Sequence, residues 1–379
     1  MSDAIRPFTI DIAEEQLEDL RRRLDLTRWP EAETVRDWSQ GVPLAEARKL
    51  VDHWRNRYDW RRCEAALNRY PQFLTEIDGL DIHFLHVRSP NPDALPLILT
   101  HGWPGSVIEF MKCIGPLSDP AAHGGNPADA FHLVIPSLPG YGFSGKPKET
   151  GWKVQRIAKA WHTLMTRLGY DRYVAQGGDW GAAVTTAMGM QRPEGLAAIH
   201  VNMPIVLPEG PYDDASPAEL AMLEAMAYYA RWDGGYSDQQ ASRPQTLGYG
   251  LADSPAGQAA WIYEKFWSWA DCSGDPLNAL SYDEMLDNIM LYWLPNTGTS
   301  SARLYWESFH GGFGAAELHI PTACSVFPKD IYAAPRSWAE RCMHNLIYWN
   351  ELDKGGHFAA FEQPELFVGE LRKAFLSIR

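Results

Sequence analysis

Apolar residues recur along this chain in two rhythms, one of about 3.6 residues and one of two. Leu17, Leu20 and Leu24 follow Asp11-Ile12-Ala13-Glu14, which reads as a capping box, and predict a short amphipathic helix. A second helical stretch is expected from Leu44 to about Trp54. Residues 72–77 and 82–87 read as strands joined through Asp78-Gly79, a hairpin signal. Residues 1–70 are thus expected to form a helical arm ahead of the main sheet. Short apolar runs at 95–100, 131–135, 173–176 and 197–201 then alternate with helical stretches, notably 154–168 and 182–191. That alternation predicts an α/β domain with a mostly parallel sheet and helices on both faces, whose first part covers 71–204.

The rhythm breaks after Met203-Pro204. Residues 205–295 are helical in pattern, aromatic, and punctuated by Gly and Pro, which suggests a helical cap inserted into the sheet domain. Strand-like runs return at 323–327 and 346–349, and a helix over 364–376 closes the second part of the core, 296–379. Of the 16 Trp and 16 Tyr, many crowd the region 228–306, as a large aromatic core or an apolar pocket for a lipophilic ligand would require.

Charge and cysteine usage narrow the function. A formal net charge of -14 argues against nucleic acid or an anionic membrane as partner, since both need a basic face. The five cysteines are scattered, odd in number and without a C-x-x-C pair, so neither a disulfide framework nor a zinc site is expected. They read as reduced thiols of a cytoplasmic protein. The first 30 residues carry charge throughout, so neither a signal peptide nor a membrane anchor is expected there. The sequence is compatible with a homodimer.

One stretch carries the chemistry. Residues 173–183, YVAQGGDWGAA, read as a strand, a sharp turn and a helix. This is the G-x-S-x-G nucleophile elbow with Asp179 in place of serine. A carboxylate is ionised near neutral pH, needs no base to activate it, and can displace a leaving group from sp3 carbon, leaving an ester for water to cleave. Such an elbow needs a base for water, an acid to orient it, and donors for the oxyanion. His357, on the Gly355-Gly356 loop after the last strand, is the base expected, against the ordinary alternative of a hydrogen-bonded loop histidine. Asp330, after the strand ending near Phe327-Pro328, is the acid expected, with Asp353 as the competing choice. The order Asp, Asp, His is that of the α/β-hydrolase fold. The backbone N–H groups of Trp103, in His101-Gly102-Trp103-Pro104-Gly105, and of Trp180 are the expected oxyanion pair. A plain tight turn is the alternative for that Gly/Pro segment, and His101 reads as structural.

The motifs H-G-W-P-G-S at 101–106, G-G-D-W-G at 177–181, D-S-P-A-G at 253–257, E-K-F-W-S-W at 264–269, T-G-T-S-S-A-R-L-Y at 297–305 and G-G-H-F-A-A-F-E at 355–362 stand together in one chain. In them the chain resembles epoxide hydrolases of the microsomal and juvenile-hormone type over nearly its full length. Arg28-Trp29-Pro30 is similar to that group's N-terminal extension. The resemblance implies a cofactor-independent hydrolase that turns lipophilic epoxides into vicinal diols, with detoxification as its role. It also implies two cap tyrosines, Tyr236 and Tyr305, that hydrogen-bond the epoxide oxygen. Tyrosines are too many here for spacing to single out that pair. Two departures stand out: membrane-bound relatives carry an N-terminal anchor, and some place Glu where this chain has Asp330. A haloalkane dehalogenase shares the Asp nucleophile and histidine, and a non-catalytic binding protein could share the scaffold. The tyrosines weigh against the first, and the complete set of site residues against the second.

Overall fold

The computed structural model describes residues 3–206, 210, 212–309 and 317–379. It opens with a strand, β1 (Ile5–Phe8), where a purely helical arm was expected. Four residues with Pro7 among them give no alternation to read. Proline is tolerated there because β1 is an edge strand, paired antiparallel to the next strand only. Helices α1 (Glu14–Asp25), α2 (Leu44–Asn56) and α3 (Trp60–Leu67) follow. The first two lie where the apolar spacing puts them, and Leu17, Leu20 and Leu24 are buried. The capping box at Asp11 does not form: Ala13 is the N-cap and no side chain caps the helix. The preceding residues are extended and bound elsewhere, the Ile10 and Ile12 N–H groups donating to Asn68 Oδ1 and Glu64 Oε1. Glu14 and Glu15 face the positive end of the helix instead.

Strands β2 (Gln72–Ile77) and β3 (Leu80–Val87) form the expected hairpin, with Asp78 and Gly79 both at positive φ, as a two-residue primed turn demands. The core follows as β4 (Leu95–Thr100), α4 (Met111–Ser118), β5 (Phe131–Pro136), α5 (Val154–Arg167), β6 (Tyr173–Gly177), α6 (Trp180–Gln191) and β7 (Leu196–Val201). A helical segment comes next: α7 (Pro217–Tyr228), a π-helical turn at Tyr229–Asp233, α8 (Gly235–Ser242), α9 (Pro244–Asp253), α10 (Pro255–Trp269), α11 (Tyr282–Trp293) and α12 (Gly298–Phe309). The last of these packs on α8 and α9. The chain then returns to the sheet with β8 (Thr322–Val326), α13 (Arg336–Cys342), β9 (Leu346–Glu351), α14 (Ala359–Glu362) and α15 (Pro364–Ala374).

Among the described residues, nine strands lie in one sheet, ordered β1-β2-β3-β5-β4-β6-β7-β8-β9. The six from β5 to β9 run parallel, and β1 to β3 extend one edge antiparallel. Parallel strands need covering on both faces, so they read as continuous apolar runs and not as alternation. The path from β4 runs to one side, to β5, then crosses to β6 on the other. Loops after β4 and β6 therefore diverge at a topological switch point, where open α/β sheets place their ligands.

Candidate active site

The elbow is built by small residues. Asp179 joins β6 to α6 at φ 51 and ψ -127, a strained conformation for a residue with a side chain. The turn is tight enough that a Cβ on Gly177 would overlap the Gly181 carbonyl, and one on Gly181 the Thr100 carbonyl oxygen. A Cβ on Gly102 would strike the Asp179 carboxylate itself. The glycines around Asp179 therefore let three backbone segments meet beneath one side chain.

The two carboxylate oxygens of Asp179 have different neighbours. Trp103 N–H donates to Oδ1 at 2.8 Å, while Oδ2 lies 3.4 Å from His357 Nε2. Trp180 is the first residue of α6, directly after Asp179. On the far side of the ring, His357 Nδ1 hydrogen-bonds Asp330 Oδ1 at 2.7 Å, and Ile331 N–H donates to that oxygen too. The Asp330 side chain is fully buried, whereas Asp353, the competing choice, is exposed on the surface. Burial works against a charge on His357, but Asp330 and Asp179 outweigh it and hold its pKa well above the ordinary histidine value.

The histidine loop is clamped at both ends. His357 N–H donates to the Trp269 carbonyl at the end of α10, and a Cβ on Gly356 would overlap that same oxygen. Glu362 accepts from the N–H groups of Asp271, Gly356 and Phe358, which bracket the histidine. The final glutamate of G-G-H-F-A-A-F-E thus has a visible task, one for which spacing alone gives no signal. His101, read as structural, bridges the Gly102 carbonyl and the Leu138 N–H, and burial brings its pKa down to about 4.

Aromatic side chains from the helical segment α7–α12 close over these groups. The Tyr236 ring, from α8, stacks on Trp103 with centroids 4.7 Å apart, and Tyr305, from α12, stands edge-on to Trp180 at 4.8 Å. The two tyrosine rings lie 5.7 Å apart. Burial first, and the neighbouring phenols and Asp179 after it, raises both hydroxyls well above the ordinary tyrosine value, so both remain proton donors at neutral pH. A third phenol escapes the sequence reading: Tyr229, in the π-helical turn, hydrogen-bonds Tyr236 hydroxyl to hydroxyl at 2.9 Å. A π-turn has no sequence signature, although it often marks a functional site. Lys265, buried beside Asp233, sits 4.5 Å from the Tyr236 ring centroid. Tyr236 also borders a hollow of about 990 Å³ walled by Trp38, Trp232, Trp261 and Trp267.

Four of the five cysteines are buried, Cys342 is half-buried, and all are free thiols. Among the described residues, one group of side chains could share a metal ion: Glu317, His319 and His344, all exposed. They lie beside the amino ends of β8 and β9, across the sheet from Asp179. Among the described residues, no helix is long and apolar enough to cross a membrane.

A doubly wound sheet, a capped switch point and a carboxylate at the elbow define an α/β-hydrolase. The model of the alpha/beta hydrolase fold matches residues 96–250, and that of the epoxide hydrolase N terminus matches residues 5–110. The chain is 59% identical over 376 residues to a protein of Stigmatella aurantiaca (strain DW4/3-1), spanning 99% of this chain and 86% of that one. Epoxide hydrolase 1 of Sus scrofa is 36% identical over 402 residues, spanning 98% and 88% of the two chains. Among solved structures, the epoxide hydrolase of Aspergillus niger superposes with a TM-score of 0.90 at 33% identity, covering 99% of this chain and 97% of its own. The chain belongs to the epoxide hydrolase family.

Proposed function

We propose that the protein hydrolyses lipophilic epoxides to vicinal diols through an ester on Asp179. The observation that carries this reading is the division of labour within the Asp179 carboxylate. Oδ1 is held by a backbone donor, and Oδ2 faces the histidine. Oδ2 attacks an epoxide carbon, and the C–O bond of the ring breaks. Tyr236 and Tyr305 donate to the departing oxygen, which would otherwise leave as an alkoxide. Esterification removes the charge of Asp179, one of the two carboxylates that keep His357 protonated, and so favours release of its proton to the phenol that gave one up. His357, oriented by Asp330, then takes a proton from water, and that water adds to the carbonyl carbon of Asp179. Charge collects on Oδ1, against the Trp103 N–H and, on this reading, the Trp180 N–H. The acyl C–O bond breaks, and the diol leaves with the proton from His357. The proton that the added water left on the Asp179 carboxyl passes to His357, which restores both the carboxylate and the imidazolium.

A haloalkane dehalogenase would use the same aspartate and histidine but needs donors for a halide, and the paired phenols support the epoxide reading. The aromatic hollow beside Tyr236 supports lipophilic substrates. Free thiols support a cytoplasmic setting, with detoxification as the role. The test is diol formation from a panel of aryl and alkyl epoxides. Wild type should form diol, and Asp179→Ala should form none. His357→Gln should accumulate a protein heavier by one substrate mass. Diol from Asp179→Ala, or normal turnover by His357→Gln, would refute the reading.

A further inference from the structure

One half-buried acid in the site has no part in the scheme above. Glu109 lies in a single turn of 3-10 helix (Val107–Phe110) directly after the Trp103 loop. Tertiary contacts with α11 pin that turn. Ser106 Oγ donates to Asn288 Oδ1 at 2.7 Å, Asn288 Nδ2 to the Pro104 carbonyl at 2.7 Å, and the Tyr292 hydroxyl to the Gly105 carbonyl at 2.7 Å. The Glu109 carboxyl occupies the space that a Cβ on Gly105 would fill, so the glycine is what admits it. Burial, reinforced by the charge of Asp179, pushes its pKa up to about 8 against the opposing effect of His357. Glu109 is then a neutral acid near pH 7, able both to donate and to accept a hydrogen bond.

A small cavity of about 20 Å³ lies at this point. Gly102, Gly105, Glu109, Asp179, Asn202 and His357 are among the residues that line it. A water needs roughly 10–15 Å³ of such space and two to four polar partners. The volume suits one water, and its walls include both groups that the second half-reaction requires.

We propose that this cavity is the site of the hydrolytic water and that Glu109 is the residue that positions it, between His357 Nε2 and the carbonyl carbon of Asp179. The inference rests on the two-step reading above and concerns its second step alone. Water gives one proton to His357 while its oxygen bonds to the Asp179 carbonyl carbon. The Glu109 carboxyl holds that oxygen and keeps its own proton throughout. Alkylation of Asp179 uses no water and should not depend on Glu109.

The experiment separates the half-reactions by rapid quench and intact-protein mass, with styrene oxide as probe, on wild type, Glu109→Gln, Glu109→Ala and His357→Gln. Glu109→Ala should form the ester within about threefold of the wild-type rate but hydrolyse it about 100-fold more slowly, the scale of a misplaced reactant. The neutral isostere Glu109→Gln should recover hydrolysis to within about tenfold of wild type. Near-normal hydrolysis by Glu109→Ala, or an equal fall of both steps, would overturn the proposal, the second outcome marking a merely structural role. Absence of ester from His357→Gln would instead sink the two-step scheme, and this inference with it.

Discussion

Replacing Asp330 by Asn removes one charge and little volume from the buried end of the Asp179–His357–Asp330 row. The lost interaction can be sized from the geometry. His357 Nδ1 and Asp330 Oδ1 are 2.7 Å apart, and the carboxylate is fully buried. Opposite charges about 4 Å apart interact by about 4 kcal/mol at an effective dielectric of about 20. During hydrolysis His357 becomes an imidazolium, and the neutral amide no longer stabilises it. At 1.36 kcal/mol per decade, hydrolysis of the ester should slow by about 10³-fold. Alkylation should change by less than about tenfold, because attack of the Asp179 carboxylate on the epoxide carbon passes no proton to the histidine. Stopped-flow mixing with intact-mass detection would then show the ester building up to nearly one equivalent. If Asp330→Asn turns over within about threefold of wild type, or loses alkylation and hydrolysis in equal measure, the assignment of Asp330 as the orienting acid is refuted.

Three further outcomes follow from the same geometry. Tyr236→Phe and Tyr305→Phe should each slow alkylation by about 10- to 100-fold, the worth of one hydrogen bond to a developing charge, and the double variant by more than about 10³-fold. Single-turnover ester formation measures this, and an unchanged rate in the double variant would remove the phenols from the mechanism. Gly356→Ala places a methyl against the Trp269 carbonyl oxygen and 2.7 Å from Asp271 N, so the histidine loop must shift. Ester hydrolysis should fall by about 100-fold, with a lowered Tm in the same preparation; unchanged hydrolysis would show that the loop tolerates the shift. The raised pKa of His357 makes stability depend on pH. Its contribution is fully present below the unfolded value of about 6.5 and is lost as pH rises through the folded value. Urea unfolding should show wild type losing stability across that window and His357→Gln losing less; parallel curves would contradict the linkage.

Much of this was legible in the chain itself. The apolar runs at β4, β5, β6, β7, β8 and β9 marked the parallel strands to within one or two residues, because burial on both faces leaves little room for polar side chains. Asp78-Gly79 marked the hairpin, because the two positive φ values of its turn suit few other pairs. Asp179 between glycines marked the elbow, because any Cβ at 177 or 181 would collide with backbone. Those are local constraints, and local constraints leave a local signature.

What the sequence could not hold were the relations between distant segments. Strand β1 exists because β2 supplies an edge for it, so its four residues carry no pattern of their own. The capping box at Asp11 failed because Glu64 and Asn68, more than fifty residues away, bind the backbone before α1. Asp330 and Asp353 are both aspartates near the last strands, and burial against His357 separates them only in the folded chain. Tyr229 and Glu109 gain their places at the site from a π-turn and from the space beside Gly105. The sequence by itself determined which residues could do the chemistry. The tertiary structure decided which of them meet, because a distance between side chains far apart in the chain is set by packing.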